Sequence, residues 1–585
     1  RVDRRQRQMC IRDRVLPFRR VADGSPPYFR EGTYNTIVAS TTVGAAMAEN
    51  YILTDDYYGD LAPNGVPILV AYVADHPVGR LVEKPSEMLA VVRAFLAHDG
   101  VITADHALVV GHDLVADAAL VERQVLQDDG IPTDSLIGDG WTAAQFRSGL
   151  LETGHDLNAI NTHARHNAYA APSGTGLRAE ELVTATYPLS GSVTFSPGCH
   201  AGLNVPPAYG PGVALDWPEV WAGRGIGSIG NTGWGIGDRS GIAYSEALAT
   251  QLTVQLAYGD SATLGEALLS SKLGYIANKG FLDAIDEKVL LQFTLYGLPM
   301  YRIQTGAGRA EGHNRAPARS QDSLGTDDKG LTWVTAWYKP HEASFQQHNT
   351  PEGSYYTLDG DYHRSDNSPL EPRRFVQPRV NGGLLHGAIF RGGVYSDVSA
   401  YDPVVAAAAI ITAGVSAEGT VTAPNWFPAI PFQVLNVNPT TDGNQESLVV
   451  QFGQFRPADR RHRLFSQMSF DLFYSGQDDF TPPIVTVTGR LYGEMLEVRA
   501  VATDTSGIHG VWVTFTAGDG HWRSVGMVRG KDPALWQALL SPSAGLEYIV
   551  QVVDGAGNVA VADNDGRYYT VPQAYRFYLP LLLRH

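Results

Sequence analysis

The sequence predicts a mixed α/β fold in its first half and β structure in its second half. Between residues 15 and 304, short apolar runs alternate with stretches whose apolar residues recur at helical spacing. That alternation is typical of a mostly parallel sheet flanked by helices. From residue 331 helical periodicity is mostly lost, and after residue 483 short alternating runs are separated by turn signals, as in a β-sandwich.

The predicted elements of the α/β part follow one another in a regular order. Apolar runs of β type lie at 67–73, 106–113, 156–163, 192–198 and 225–234. Runs with helical spacing follow three of them, at 85–100, 114–130 and 240–260. In the second half, one apolar run at 399–415 fits either a strand or a short helix.

These patterns divide the chain into six segments. We expect an artefact or a disordered arm at 1–14, an α/β domain at 15–304, a linker at 305–330, a β-rich domain at 331–479, a β-sandwich at 480–573 and a C-terminal tail at 574–585.

The first segment, RVDRRQRQMCIRDR, is Arg-rich and fits no element of the acidic chain that follows. It resembles translated sequencing-adapter sequence, in which case Cys10 is not native and the true N-terminus, with any secretion signal, is missing. The alternative is a disordered basic arm.

Composition excludes several classes of partner. The net charge is −17 over 585 residues, which argues against nucleic acid and anionic membranes, because phosphate binding needs a basic face. No apolar run reaches the roughly 18–20 residues of a membrane-spanning helix. The chain has 2 cysteines, so it cannot carry a disulfide framework.

Two reactive side chains follow predicted strands. His163 ends the run DLNAINTH, and Cys199 follows the run SVTFSPG. The carboxyl ends of parallel strands meet at one edge of a sheet, where ligands bind, so we expect the two side chains on the same edge. A thiol needs a nearby imidazole to become a nucleophile. Gly198 would allow a close backbone approach, and the N–H groups of Cys199 and Ala164 could then bind an oxyanion.

Other interpretations of these residues stay open. A lone cysteine is often a small core residue, and His166 competes with His163. The set His163, His166, Cys199 and His200 also contains zinc-ligand types, although its spacing lacks a CxxC or HExxH core. No GxSxG motif follows a strand, which disfavours a serine hydrolase.

The arrangement resembles the gingipain family of cysteine peptidases, within the caspase-like clan. Besides the His and Cys strand ends, the resemblance is carried by YILTDDYYGDL with the GR-containing stretch up to residue 96, ALVVGHDLVADAALVERQ, GIGSIGNTGWGIGD and LYGLPMYRI. It covers about residues 15–304 and implies a caspase-like α/β domain whose first strands are missing from this chain.

The resemblance implies a role for each matching residue. Cys199 would be the nucleophile, His163 the acid–base residue and Asp113 the carboxylate that orients it. Asp117 would line the pocket for the residue before the scissile bond, so that cleavage follows Arg or Lys, and Trp234 would wall that pocket. Two of these residues have structural alternatives. Asp117 could stabilise a helix dipole from the first turn of a helix, and Trp234 could be a core aromatic residue. The family's His-Gly is His163-Ala164 here, and alanine cannot adopt glycine-only conformations.

Segment 480–573 resembles the Ig-like modules of secreted bacterial enzymes. The leading expectation is therefore a secreted or cell-surface cysteine endopeptidase that acts on protein or peptide substrates, requires no cofactor and attaches to the surface through its C-terminal modules. Structural calcium at Asp563-Asn564-Asp565 is a further expectation, with a solvated turn as its alternative. The competing functions are a non-catalytic adhesin built on the same fold and a zinc hydrolase.

Overall fold

The structure of this chain is a computed structural model. It describes residues 18–34, 38, 40–60, 74, 76–185, 189–207, 215–239, 241–257, 263–305, 321–326, 331–340, 344–376, 383–411, 425–437 and 445–572. The predicted strand at 67–73, Cys10 and the predicted C-terminal tail lie outside the described residues.

A mostly parallel sheet forms the centre of the α/β part, as the sequence predicts. The strands up to residue 305 are β1 (Arg19–Ala22), β2 (Tyr51–Thr54), β3 (Val101–Ala104), β4 (Ala107–Gly111), β5 (Thr133–Ile137), β6 (Leu157–Asn161), β7 (Ala164–Arg165), β8 (Ala168–Ala171), β9 (Gly174–Arg178), β10 (Val193–Ser196), β11 (Gly227–Asn231), β12 (Ile236–Asp238), β13 (Phe293–Tyr296) and β14 (Arg302–Thr305). The central order is β13-β11-β10-β6-β4-β5, and β13 alone runs antiparallel to its neighbour.

Helices cover both faces of this sheet. They are α1 (Thr42–Ala48), α2 (Pro85–Ala97), α3 (Ala116–Asp128), α4 (Ala143–Arg147), α5 (Ala179–Leu182), α6 (Trp217–Gly223), α7 (Tyr244–Ala257), α8 (Leu264–Lys279) and α9 (Ala284–Gln292). Alternate residues of β4 face opposite cores: Val109 packs with α3, α7 and α8, whereas Val110 packs with α4 and α6. Each such fully buried side chain contributes about 1.5–3 kcal/mol to stability. The sequence patterns described above predicted neither α8 nor α9.

Strands dominate the second half. They are β15 (Gln321–Thr326), β16 (Thr332–Tyr338), β17 (Phe345–Thr350), β18 (Gly353–Leu358), β19 (Tyr362–His363), β20 (Glu371–Val376), β21 (Leu384–Val398), β22 (Ala408–Ile410), β23 (Phe432–Val437), β24 (Gln445–Gln451), β25 (Gly453–Arg456), β26 (Arg461–Ser475), β27 (Ile484–Tyr492), β28 (Met495–Thr503), β29 (Ile508–Thr516), β30 (His521–Gly526), β31 (Val528–Arg529), β32 (Leu535–Leu540), β33 (Glu547–Asp554), β34 (Val559–Ala562) and β35 (Tyr569–Thr570).

Hydrogen bonds join the two predicted β segments. Strand β21 pairs with β30, so one ten-stranded sheet continues from the 331–479 segment into the 480–573 segment. A second sheet, β27-β28-β32-β31, shares a core with β29 and β33. The boundaries of the domains remain predictions. Within the described part of the chain, no helix combines the length and the apolar character needed to cross a bilayer.

The ambiguous apolar run at 399–415 contains a strand. Its residues Ala408, Ala409 and Ile410 form β22, which pairs antiparallel with β12 of the α/β part. We call residues 408–411 the strap, because this segment of the second half lies across the first.

Candidate active site

His163 and Cys199 lie at the same edge of the central sheet. Their strands β6 and β10 are parallel neighbours, with Phe195 opposite Ala159, and each residue follows shortly after its strand ends. Gly198 permits the approach of the two loops. A Cβ atom at Gly198 would lie 2.6 Å from the carbonyl oxygen of Thr162 and 2.7 Å from the Cβ of Ala164, so any other residue would push the loops apart.

Asp113 contacts the His163 ring. The Nε2 atom of His163 lies 3.0 Å from Oδ2 of Asp113, which begins a one-turn 3₁₀ helix after β4. The Nδ1 atom of His163 is buried and has no hydrogen-bond partner among the described residues. Asp113 has a φ of 54°, in the left-handed region that non-glycine residues seldom adopt. Such conformations persist at functional sites, where the surrounding structure holds them.

The Cys199 thiol is sealed beneath the strap. Cys199 is 0% exposed, and its Sγ lies 3.1 Å from the carbonyl oxygen of Ile411 and 3.6 Å from that of Gly235. Burial raises the pKa of the thiol well above its ordinary value. In this arrangement Cys199 is a neutral thiol that donates a hydrogen bond to a peptide carbonyl.

His200, the residue after the nucleophile candidate, belongs to a closed packing cluster. Its Nε2 atom lies 2.8 Å from Oε2 of Glu31, and its ring stacks on Tyr34 with centroids 3.4 Å apart. Trp234 contacts the same ring edge-on at 4.6 Å. Burial lowers the pKa of His200, against the opposing effect of the Glu31 carboxylate. His200 also has a left-handed backbone, with φ of 56°.

A buried ion network supports this cluster. Lys288 of α9 lies 2.7 Å from Glu31 and 2.9 Å from Asp23. Glu31 also accepts the backbone N–H of Trp234 at 2.7 Å. Burial alone would raise the pKa of Glu31, but Lys288 and His200 outweigh it and lower that pKa to about 2. Sequence reasoning missed Glu31 and Lys288, because no motif or periodic pattern surrounds Glu31 and lysines are rarely buried.

Trp234 packs against His200, and Ala164 lies against Gly198. The half-buried indole of Trp234 donates to the carbonyl of Arg30 at 3.2 Å and packs against His200 and Tyr34. Ala164 lies in strand β7, so its backbone is extended and needs no glycine-only conformation. The pocket role of Trp234 and the oxyanion role of Ala164 remain predictions.

Asp117 lies in an acidic cluster that also contains Asp238 and Glu246. Its carboxylate accepts the N–H of Ala118 at 2.9 Å in the first turn of α3, and burial raises its pKa. The charge of Arg364 opposes that rise. Arg364, from the second half of the chain, forms an ion pair with Asp238 at 2.9 Å. The guanidinium group of Arg364 is therefore already bound in this acidic cluster.

The histidines near Cys199 face different partners. The Nδ1 atom of His166 lies 2.6 Å from the hydroxyl of Tyr34, and burial lowers the pKa of His166 to about 4. Since His163 faces Asp113 and His200 faces Glu31, the set does not converge on one metal position.

Possible metal ligands converge elsewhere. At the amino ends of the sheet strands, ligand atoms of His106, Asp134 and His155 lie within 4.8 Å of one another. In the turn where calcium was expected, the Asp563 side chain accepts the backbone N–H of Asp565 at 3.2 Å. Whether that turn binds calcium remains a prediction.

Comparison with known proteins gives matches only at the level of solved structures. No family model and no curated protein matches the chain. The complex of the RgpB pro- and mature domains from Porphyromonas gingivalis is 12% identical, with 77% of this chain and 78% of that chain covered and a TM-score of 0.34. The Arg-specific cysteine proteinase gingipain R is 10% identical, with 87% and 78% covered and a TM-score of 0.33.

A third structure, described as a protease, is 12% identical, with 78% of this chain and 76% of that chain covered and a TM-score of 0.31. At these identities and TM-scores, a functional proposal must rest on the site itself.

Proposed function

We propose that the chain is a cysteine endopeptidase with Cys199 as nucleophile and His163 as its acid–base partner. The observation that carries this proposal is the placement of Cys199 and the Asp113-oriented His163 at one edge of two neighbouring parallel strands. A nucleophile beside a base that a third group orients is the common pattern of covalent hydrolases. A peptide carbonyl lying 3.1 Å from the Cys199 sulfur further supports a site that accepts extended peptides.

The chemistry follows from these three residues. His163 takes the thiol proton, and the Cys199 thiolate attacks the carbonyl carbon of the substrate. The backbone N–H groups of Cys199 and Ala164 stabilise the resulting oxyanion. His163 then returns its proton to the leaving amine, which breaks the peptide bond and leaves a thioester. Water, deprotonated by His163, hydrolyses the thioester, and Asp113 stabilises the imidazolium form throughout.

The finer features belong to the same proposal. The acidic cluster would favour substrates with an Arg or Lys side chain, through a charge-assisted hydrogen bond of the kind that Arg364 makes with Asp238. The enzyme would have a caspase-like α/β domain, would be secreted or exposed at the cell surface, and would need no cofactor for the reaction. The 480–573 segment would be an Ig-like module that serves attachment, with structural calcium as an optional addition.

The test is hydrolysis of a fluorogenic peptide library by the full chain and by an Arg364→Ala variant, which loses the ion pair to Asp238. We expect hydrolysis that disappears in Cys199→Ala in both backgrounds. Cys10→Ala is the matched control, because it removes the other cysteine and should leave the rate unchanged. Equal turnover with and without Cys199 in both backgrounds contradicts the proposal.

The burial of the thiol favours a second candidate, a non-catalytic surface protein that retains the fold. In that case Cys199 is a core residue, because its side chain is 0% exposed and its pKa is raised by burial. The two candidates differ in thiol reactivity, since only a nucleophile that can be uncovered reacts with iodoacetamide in the native protein.

A further inference from the structure

The strap is bound to the α/β part as an added β-strand. Ile410 pairs with Ile236, Ala409 with Gly237 and Ala408 with Asp238, all antiparallel. The ladder continues one residue further, because Ile411 donates its N–H to the carbonyl of Gly235 at 2.8 Å. Addition of an extended segment to a strand edge is a recurrent way in which proteins bind peptides.

The strap ends at the nucleophile candidate. The carbonyl oxygen of Ile411 lies 3.1 Å from Sγ of Cys199. A substrate bound along β12 in the same direction would present its scissile carbonyl at this position. Ile411 is 0% exposed and belongs to the same core as Cys199, so the strap excludes water from the thiol.

Hydrogen bonds to the second half of the chain also hold the strap in place. The N–H of Ala408 donates to Oδ1 of Asp366 at 2.9 Å, and the N–H of Asp366 donates to the Tyr244 hydroxyl at 2.7 Å. Arg364, two residues before Asp366, forms its ion pair with Asp238 opposite Ala408. The second half of the chain thus occupies both the edge of strand β12 and the acidic cluster.

We propose that the strap is an internal pseudosubstrate that occupies the peptide-binding cleft and keeps Cys199 latent. This inference rests on the proposed function. The carbonyl oxygen of Ile411 accepts a hydrogen bond from the Cys199 thiol. Because this thiol is neutral and buried, it does not attack the carbonyl carbon of Ile411. Activation then requires displacement of residues 408–411 from the edge of β12.

The register of the strap also defines the substrate class of the cleft. The position next to the thiol holds Ile411 in an apolar environment, so we expect an aliphatic residue before the scissile bond. Asp238 lies opposite Ala408, three residues earlier, and directly opposite side chains project from the same face. The acidic cluster would therefore read a basic side chain at that earlier position and not at the residue before the scissile bond.

The first test measures alkylation of Cys199 by iodoacetamide in the folded full chain, in a Cys10→Ala background that leaves a single thiol. Ile411→Asp places a charge where the side chain is fully buried, and Arg364→Ala removes the anchor on Asp238. We expect slow alkylation of the parent and a rate about tenfold or more higher in each variant, since losing about 1.4 kcal/mol changes a population tenfold.

Arg374→Ala is the matched control, because it removes an arginine ion pair, with Asp359, in the same half of the chain. Its alkylation rate should equal that of the parent. Rapid alkylation of the parent, or unchanged slow alkylation in both strap variants with parental melting temperatures, overturns the pseudosubstrate. Rapid alkylation in the variants without Cys199-dependent hydrolysis retains the occlusion and overturns the peptidase proposal.

The second test compares three fluorogenic peptides with the Arg364→Ala variant: acetyl-Ala-Ala-Ile-Ile, acetyl-Arg-Ala-Ile-Ile and acetyl-Ala-Ala-Ile-Arg, each joined to the fluorophore at its C-terminus. We expect kcat/KM to be highest for the second peptide, and to fall about tenfold when Asp238→Asn is added. A higher kcat/KM for the third peptide overturns the substrate register.

Discussion

The two histidine–carboxylate pairs that flank Cys199 differ in exposure and in what surrounds them. The His163–Asp113 pair lies near the surface, with side-chain exposures of 9% and 40%. The His200–Glu31 pair is sealed at 0% and 2%, and Lys288 neutralises its carboxylate. Only the first pair reaches solvent, through the Asp113 carboxylate, whereas the second pair is enclosed by protein on all sides. Adjacency to Cys199 in the sequence is therefore a poor guide to which histidine would act in the proposed reaction.

The largest effect is expected at His163. In the Arg364→Ala background, His163→Gln should lower kcat/KM by about 10²–10⁴-fold, because it removes the acid–base group. The melting temperature should stay within about 3 °C of the parent, since glutamine keeps a polar group beside Asp113, whose side chain is 40% exposed. His200→Gln should show the reverse, with a lower melting temperature and a smaller loss of kcat/KM. Loss of hydrolysis in His200→Gln at unchanged stability would reverse the two assignments.

A stability effect of intermediate size is expected at Glu31. Glu31→Gln should destabilise the α/β part by about 3 kcal/mol at pH 7, because it removes one of the two carboxylates that pair with buried Lys288 and the charge that His200 contacts. The pKa of Glu31 is lowered from 4.5 to about 2, so its contribution is complete above pH 4.5 and is lost as the pH falls toward about 2.

Thermal unfolding of the parent and the variant between pH 7 and pH 2.5 measures this contribution. The gap between their melting temperatures should narrow as the pH falls. Glu49→Gln, at an exposed position at the end of α1, is the control and should melt with the parent at every pH. A gap that is independent of pH would show that the Glu31 charge is not the source of the effect.

The smallest effect is expected at Tyr34. Tyr34→Phe removes the hydroxyl that bonds His166 at 2.6 Å but keeps the ring stacked on His200. The hydroxyl also accepts the backbone N–H of His166 at 3.3 Å, so two hydrogen bonds are lost. We expect a loss of about 1–2 kcal/mol in stability and less than a threefold change in kcat/KM. A large fall in kcat/KM would show that His166 takes part in the reaction and does not only support the structure.

The elements that could be predicted from the sequence are those marked by runs of apolar residues with strand or helix periodicity. Buried runs at 156–163 and 192–198 became β6 and β10, and placing His163 and Cys199 at their ends required only the rule that parallel strands end at one edge. Asp113 lies against His163, as the sequence expectation requires, although its catalytic role remains a prediction.

The rest of the site depends on contacts between distant segments, which leave no local pattern. Glu31 and Lys288 are 257 positions apart in the numbering, and neither stands in a motif that signals burial. The strap shows the same limit in another form. A run of alanines followed by isoleucines fits a helix or a strand, and only the free edge of β12, formed elsewhere in the chain, makes it a strand.

The pairing of β12 with β22 has a practical consequence for dividing this protein. Among the described residues, these two strands form a sheet of their own, so β12 has no other strand to pair with. A fragment that stops at the predicted domain boundary near residue 304 would lack residues 408–411 and Arg364. It would expose the peptide groups of β12 as an open edge, and open edges promote association between chains. A fragment made to isolate the α/β half would therefore tend to aggregate. Soluble production should retain the whole second half, because β16 and β21 pair with β26, which lies beyond residue 411.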